Sequence, residues 1–236
     1  MSKQLATPKP AAVAQSESWL PMAILVLAQV QMAFNVNAIP VSMGPIVEQL
    51  GIPATSVGTA LVVYSLFVAA FVMVGSKLGK MFGARLVFQL TALIHGVAMG
   101  IMALSRDANG MNLAQALAGL AAAALVPTLV VLIAANYRGK QQAQALGILA
   151  ATPAISGALA FFVAGFLGTA LSWRYSFAIL FFVSLVVFLL SFRLKPIPRQ
   201  QGIKIDTMGA GMAAIGIILL SLGFNNLNNW GMLMAK

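Results

Sequence analysis

The chain has no cysteine, one histidine and four acids among its 236 residues. Without thiols there is no disulfide and no thiolate metal site, and the redox compartment is left open. The acids, Glu17, Glu48, Asp107 and Asp206, all lie in loops or flanks, so no apolar run carries a carboxylate. A lone histidine without a His-Glu-x-x-His helix gives no metal centre. The nearest approach to a serine nucleophile motif, Ala154-Ile155-Ser156-Gly157, lacks the first glycine. A retinal Schiff base would need a lysine inside an apolar run, and none is there. The expectation is therefore a protein that is not an enzyme and carries no cofactor or metal.

What the chain does contain is apolar length. It is 61% hydrophobic and 8% charged, with a mean hydropathy of +0.95. A soluble chain of this size would cover a single core with far more charge. An all-α integral membrane protein is the reading, with the lipid bilayer as its first partner. The net charge of +10 would suit nucleic acid only if it were clustered. The cations instead sit singly or in small groups between apolar runs, which excludes that partner.

Seven runs have about the length a spanning helix needs: Trp19–Ser42, Val57–Val74, Leu86–Leu104, Leu113–Ala135, Leu146–Leu171, Phe177–Phe192 and Met208–Phe224. Residues 1–18 read as a disordered cytoplasmic tail, because the run that follows is too long for a cleaved signal core. Residues 19–192 read as a six-helix bundle, 193–207 as a basic cytoplasmic linker opened by Pro196 and Pro198, and 208–236 as a seventh helix with a short outer tail. That last helix has no evident partner. Of the 14 Lys and Arg, only Arg106, Arg174 and Lys236 fall on the side opposite the N-terminus. The positive-inside rule then puts the N-terminus in the cytoplasm and the C-terminus outside, in the plasma or inner membrane. Trp19, Trp173 and Trp230 all fall at predicted interfaces, where amphipathic rings prefer to sit.

Between the second and third runs lies Gly75 to Arg85, read as a short basic turn with Gly79 and Gly83 permitting the reversal. Lys77, Lys80 and Arg85 hold it at the inner surface. These cations either latch a cytoplasmic gate or enforce topology and touch anionic lipid. Since Lys80 leaves no local acid to pair with, topology is favoured.

The polar residues inside the runs are the candidate site. Gln29, Gln31, Asn35 and Asn37 are many for one membrane helix, and Gln31 and Asn35 share a face at a spacing of four. Such a face turns toward the bundle or a wet cavity, which Tyr64 and Gln115 would also line. Substrate recognition by uncharged hydrogen bonds and plain interhelical hydrogen bonding both fit. His95 is the one titratable group within a run other than tyrosine. It suits proton relay or substrate contact, but packing beside Gly96 and Gly100 is the simpler role. Pro127 and Pro153 should bend their helices, and Gly157 and Gly165 should let a neighbour approach.

These residues resemble the major facilitator superfamily, in particular its fourteen-helix drug–proton antiporter branch. That family's loop between helices two and three reads roughly Gly-x-Leu-(Gly/Ala)-Asp-Arg-x-Gly-Arg-(Arg/Lys). In Ser76-Lys77-Leu78-Gly79-Lys80-Met81-Phe82-Gly83-Ala84-Arg85, the positions Leu78, Gly79, Gly83 and Arg85 fit, while Lys80 replaces the acid. Ala38-Ile39-Pro40 is similar to the end of the family's first helix, with Gln31 where an acid is usual, and Tyr64 fits the second. Gly119 fits the fourth-helix pattern, in which Gln115 replaces an arginine. Gly157 and Gly165 fit the fifth helix, where Ala160-Phe161 replaces a Gly-Pro pair. Ser172-Trp173-Arg174-Tyr175-x-Phe177 matches the junction to helix six, and Asp206 to Trp230 looks like the branch's extra helix.

The resemblance implies a bundle of two three-helix repeats plus a seventh helix, working as a secondary transporter, or its N-terminal half, for a small organic or drug-like solute. It also implies a second helical bundle as partner, whether a missing half, another copy or another chain. The departures support an alternative, a degenerate non-transporting homologue that serves as a membrane subunit. A proton-coupled carrier needs a protonatable group in its cavity, and no carboxylate here qualifies.

Overall fold

The computed structural model describes residues 18–200, 202 and 207–225. The expectations for residues 1–17, Asp206, Trp230 and the outer tail lie outside them. Among the described residues there are eight α-helices and no strand: α1 (Leu20–Val41), α2 (Met43–Leu50), α3 (Ala54–Phe82), α4 (Ala84–Leu104), α5 (Ala108–Asn136), α6 (Gly139–Ala170), α7 (Arg174–Leu190, continued by a 3-10 turn to Arg193) and α8 (Thr207–Asn225). Six of these, all but α2 and α8, are long and apolar enough to cross a membrane. In hydrocarbon the backbone must satisfy itself, and helices do so. The expected seventh span coincides with α8.

Three expectations need correction. The basic stretch from Gly75 is not a loop: α3 runs through it to Phe82, and only Gly83 leaves the helix, at φ +97°. Gly75 and Gly79 do not turn the chain there, because both lie buried inside the helix and pack on α5. The segment after the first span is not open loop either. Ser42, after Pro40, breaks the helix, and α2 forms and ends on Gly51 in the left-handed region at φ +62°. Finally, Trp173 is fully buried and packs edge-on to Phe177 at 5.9 Å.

Helix pairing follows an internal symmetry. α1 packs on α6, α3 on α5, α4 on both α5 and α7, and α1 on α7. Exchange α1, α3 and α4 for α5, α6 and α7 in that order. The α1–α6 pair then becomes α5–α3, α4–α5 becomes α7–α1, and α4–α7 maps onto itself. Two three-helix repeats therefore build the bundle. Beyond it, α8 lies against α3, so the seventh helix does have a partner in this chain.

The helix ends are capped by particular side chains. Asp107 accepts the Gly110 N–H at 2.8 Å and opens α5. The Tyr137 hydroxyl accepts the Met22 N–H at 2.9 Å and donates to the Ser18 carbonyl at 3.0 Å, capping the start of α1, whose own N-cap offers no side-chain bond. At the opposite end of the bundle, Arg174 donates to the Ala103 carbonyl at 2.8 Å and covers the Trp173 ring at 4.6 Å. A cation at a helix C-terminus is favourable twice, through the carbonyl and through the dipole.

The core divides in two. One apolar cluster gathers Met22, Leu25, Phe88, Leu129, Leu132, Tyr137, Val187 and Leu194. The other gathers Ile39, Ile46, Met99, Met102, Met111, Trp173 and Phe177. Four of these helices also carry buried polar side chains, Gln31 and Asn35 on α1, His95 on α4, Gln115 on α5 and Ser184 on α7.

The α3–α5 pair touches backbone to backbone. A Cβ added at Gly75 would collide with the Ala123 carbonyl oxygen, and one at Gly119 would stand 2.5 Å from the Tyr64 carbonyl oxygen. Close approach of this kind is how membrane helices gain contact, since lipid tails are as apolar as leucine. Gly119→Ala should therefore destabilise the bundle by about 2 kcal/mol or more. Gly147→Ala, where nothing lies within 4 Å of the added carbon, should be neutral or stabilising by about 0.5–1 kcal/mol. Thermal unfolding in detergent, with both variants side by side, checks the difference.

Candidate functional site

A cleft of about 240 Å³ opens near the middle of α1, α3, α5 and α6, lined by Gln29, Met32, Ala33, Val36, Asn37, Tyr64, Val126 and Pro153. Its α1 wall repeats at spacings of four, Gln29, Ala33, Asn37, which places those residues on one helical face. Pro153 cannot donate to the preceding turn of α6 and its ring crowds that turn. Gly157, one turn on, lets α6 settle against the Asn37 side chain, with an added Cβ only 3.6 Å from its Oδ1.

Gln29, Asn37 and Tyr64 are the polar residues of this lining. The Gln29 Oε1 is buried with no hydrogen-bond partner. Asn37 donates one amide hydrogen to the Ala33 carbonyl of its own helix at 2.7 Å. Tyr64, partly buried at the cleft wall, brings a hydroxyl that both donates and accepts. The lining holds no charged side chain. Such a surface recognises a solute by shape, apolar contact and a few uncharged hydrogen bonds.

The sequence candidates divide between this cleft and the packed interior. Tyr64 and Pro153 line the cleft. Asn35 and Gln115 do not: the Asn35 amide donates to the Gln115 Oε1 at 3.0 Å, and the Gln115 amide donates back to the Asn35 Oδ1 at 3.1 Å. Both residues are fully buried, so the pair ties α1 to α5. Gln31 is also fully buried and accepts from the Ser184 hydroxyl of α7 at 2.8 Å, while its Nε2 has no acceptor. His95 is 1% exposed, with Nδ1 unpartnered, and lies outside the cleft lining. Of the two uses open to the face shared by Gln31 and Asn35, the geometry gives interhelical hydrogen bonding. Gly165 approaches Val41 of α1, and Pro127 sits within α5 beside the cleft residue Val126.

The residues of the expected gate are spread over a helix end. Lys77 and Leu78 are partly buried on α3, Gly79 packs on Thr128 of α5, and Lys80 is exposed. The Lys80 carbonyl accepts the Gln200 N–H at 2.9 Å, so the 194–200 segment is strapped across the end of α3. Arg85 stands over the Phe192 ring at 5.6 Å. Two residues that sequence reasoning noticed without ranking, Gln29 and Asn37, are the polar part of the α1 cleft wall. Tyr137 and Ser184 went unnoticed, and Ser156 was weighed only as a nucleophile. Ser156 donates to the Val30 carbonyl at 2.7 Å and so joins α6 to α1. A lone serine in an apolar run gives no spacing signal from which that bond could have been read.

Comparison with known proteins fits this geometry. The family model of the Major Facilitator Superfamily matches residues 25–235. Puromycin resistance protein pur8 of Streptomyces alboniger is 25% identical over 217 residues, which cover 90% of this chain and 43% of the relative. Cephamycin export protein CmcT of Amycolatopsis lactamdurans is 27% identical over 209 residues, 84% of this chain and 42% of the relative. This chain thus spans less than half the length of these relatives. A crystal structure of the peptide transporter POT in complex with sulfate shares the fold, with a TM-score of 0.68 at 12% identity over 93% of this chain and 48% of that one.

The Asn35–Gln115 pair is open to a double-mutant cycle. Each single change to alanine leaves a buried amide unpaired and should cost about 1–3 kcal/mol. The double change should cost less than the sum, by about 0.5–1.5 kcal/mol. Unfolding measured on the four proteins reads the coupling directly.

Proposed function

The chain belongs to the major facilitator superfamily, and we propose that it is a secondary transporter, or the N-terminal half of one, that moves a small organic or drug-like solute by alternating access. The observation that carries this reading is the cleft itself. It opens at mid-helix between the first and second repeats, has Gln29, Asn37 and Tyr64 among its lining residues and no charged side chain there. Transporters of this type place their sites at such a repeat interface near the bilayer midplane. The named compounds of the relatives, puromycin and cephamycin, are organic molecules rich in hydrogen-bonding groups, and solutes of that class suit the Gln29, Asn37 and Tyr64 wall.

A second helical bundle closes the cleft in this proposal, supplied by a continuation of the chain, another copy or another chain. The six-helix unit over residues 19–192 works as one rocking body, with α8 beside α3. The N-terminus lies in the cytoplasm and the C-terminus outside, in the plasma or inner membrane, as the distribution of cations supports. Because no span carries a carboxylate, proton coupling through an intramembrane acid would need that acid to come from the second bundle. The same absence favours a second reading, a non-transporting homologue that acts as a membrane subunit.

Binding of radiolabelled puromycin to the detergent-purified chain, and its uptake into vesicles, separates the two. Saturable binding should fall about 5- to 10-fold in Asn37→Leu or Tyr64→Phe, the loss of one hydrogen bond each. Thermal unfolding of these variants should be unchanged, because the Asn37 amide bonds within its own turn and Tyr64→Phe keeps the packed ring. A chain that binds and moves no such solute, yet purifies with a fixed partner, would establish the subunit reading instead.

A further inference from the structure

The end of the bundle that gathers most of the cations holds a second cavity, larger than the cleft. About 420 Å³ lies between the start of α4 and the 196–199 strap, lined by Phe82, Gly83, Arg85, Leu86, Gln89, Pro196, Ile197, Pro198 and Arg199. The strap is held on both sides of this space. Leu194 is buried in the core cluster with Ile197 packed against it, and Gln200 is bonded to the Lys80 carbonyl. Pro196 and Pro198 fix their own φ angles and offer no N–H, so the segment between the two anchors stays extended and open on the cavity side. This is a built cavity with a rigid wall.

Its chemistry is one-sided. Arg85 and Arg199 both border it and no carboxylate does. Arg85 is positioned from behind by the Phe192 ring, a contact that leaves its N–H groups free for an acceptor. The Gln89 Nε2 is buried with no acceptor. Gly83 starts α4 without a side-chain cap, so the first N–H groups of that helix add a positive field at the same place. All these groups call for an anion with several acceptor oxygens, and paired guanidiniums suit a phosphate.

The remaining walls say which phosphate. Phe82, Leu86, Pro196, Ile197 and Pro198 are apolar. Phe82, Leu86 and, one turn beyond, Leu90 are 49%, 41% and 50% exposed. A soluble phosphate would leave that surface bare, whereas an anionic phospholipid puts its headgroup between the arginines and lays its acyl chains down α4. We propose that this cavity is a binding site for an anionic phospholipid of the leaflet on the strap side, read by Arg85, Arg199 and Gln89. The lipid would bridge α4 and the strap, so headgroup occupancy would hold the linker against the bundle. None of this depends on whether the chain transports a solute.

The test is native mass spectrometry of the purified 236-residue chain with phosphatidylglycerol, with phosphatidylcholine of the same chains, and with inorganic phosphate as competitor. Phosphatidylglycerol should be retained at least about 5-fold better than phosphatidylcholine. Each of Arg85→Ala and Arg199→Ala should weaken it about 5-fold, and the double variant about 30-fold. Millimolar phosphate should not displace it. Arg138→Ala plus Lys140→Ala, which removes two cations outside the cavity lining, should leave binding within about 2-fold. Arg199 sits on the exposed strap with no fold-holding bond, so its variant stays informative even if the Arg85 variant misfolds. Equal losses in the Arg138/Lys140 control would overturn the site in favour of diffuse surface charge. Displacement by free phosphate would overturn the lipid, and no preference between the two lipids would overturn the proposal outright.

Discussion

Everything in this bundle depends on how closely α3 can approach α5. Inside a bilayer there is no hydrophobic gain from pushing two apolar helices together, so stability has to come from contact and from hydrogen bonds that lipid cannot offer. Gly75 and Gly119 remove two side chains at the crossing, and the Ala121–Ala124 run keeps the facing surface low. The same approach sets the cleft. Tyr64 contributes its carbonyl to the Gly119 contact and is itself part of the cleft lining, so the position of one candidate binding group follows from one of the close backbone contacts between α3 and α5. A larger residue at 119 would therefore disturb the cleft as well as the core.

The helix inventory was legible in the sequence because it rests on length and hydropathy, which a bilayer dictates strongly. The seven expected runs all became helices. Ends were less legible. Gly75 to Phe82 looks like a turn by composition, since glycine and lysine are common in turns. A glycine also sits well in a helix when a neighbouring backbone occupies the space of its missing side chain, and the chain gives no local sign of that neighbour. Trp173 shows a related limit. Its position next to Arg174 suggests an interface, but the ring is the hydrophobic floor under that arginine and is wholly enclosed.

The site was half legible for a reason particular to membrane proteins. In a soluble helix, polarity marks the outside, and the buried face can be read from period alone. α1 is apolar toward lipid and apolar toward the core, so Gln29, Gln31, Asn35 and Asn37 form two rows, each spaced by multiples of four, on nearly opposite faces. Nothing in the sequence says which row meets the neighbours. The structure gives Gln31 and Asn35 to Ser184 and Gln115, and turns Gln29 and Asn37 to the cleft. Polarity on α1 therefore has two placements in this chain, one in helix–helix bonds and one at the cleft, separated by about half a turn of the helix.

That separation bears on the lost charges. The resemblance puts an acid at position 31 and an arginine at position 115, and this chain has glutamine at both. Burying a single ion of such a set, without its partner, would cost several kcal/mol (about 3–5 when one member of a buried pair is removed). Two amides avoid that cost. Gln115 finds a neutral partner in Asn35 one turn from Gln31, with both hydrogen bonds made inside the bundle. The buried polar belt of α1, α5 and α7 thus keeps directional bonds without charge. A belt of this kind still fixes the register of α1 against α5 and α7, because amide pairs are no less geometric than ion pairs. It has lost a direct way to sense a proton or a charged solute by the neutralisation of a carboxylate. On the proposed reading, recognition by this half therefore falls to the uncharged cleft wall, and any coupling charge to whatever bundle faces it.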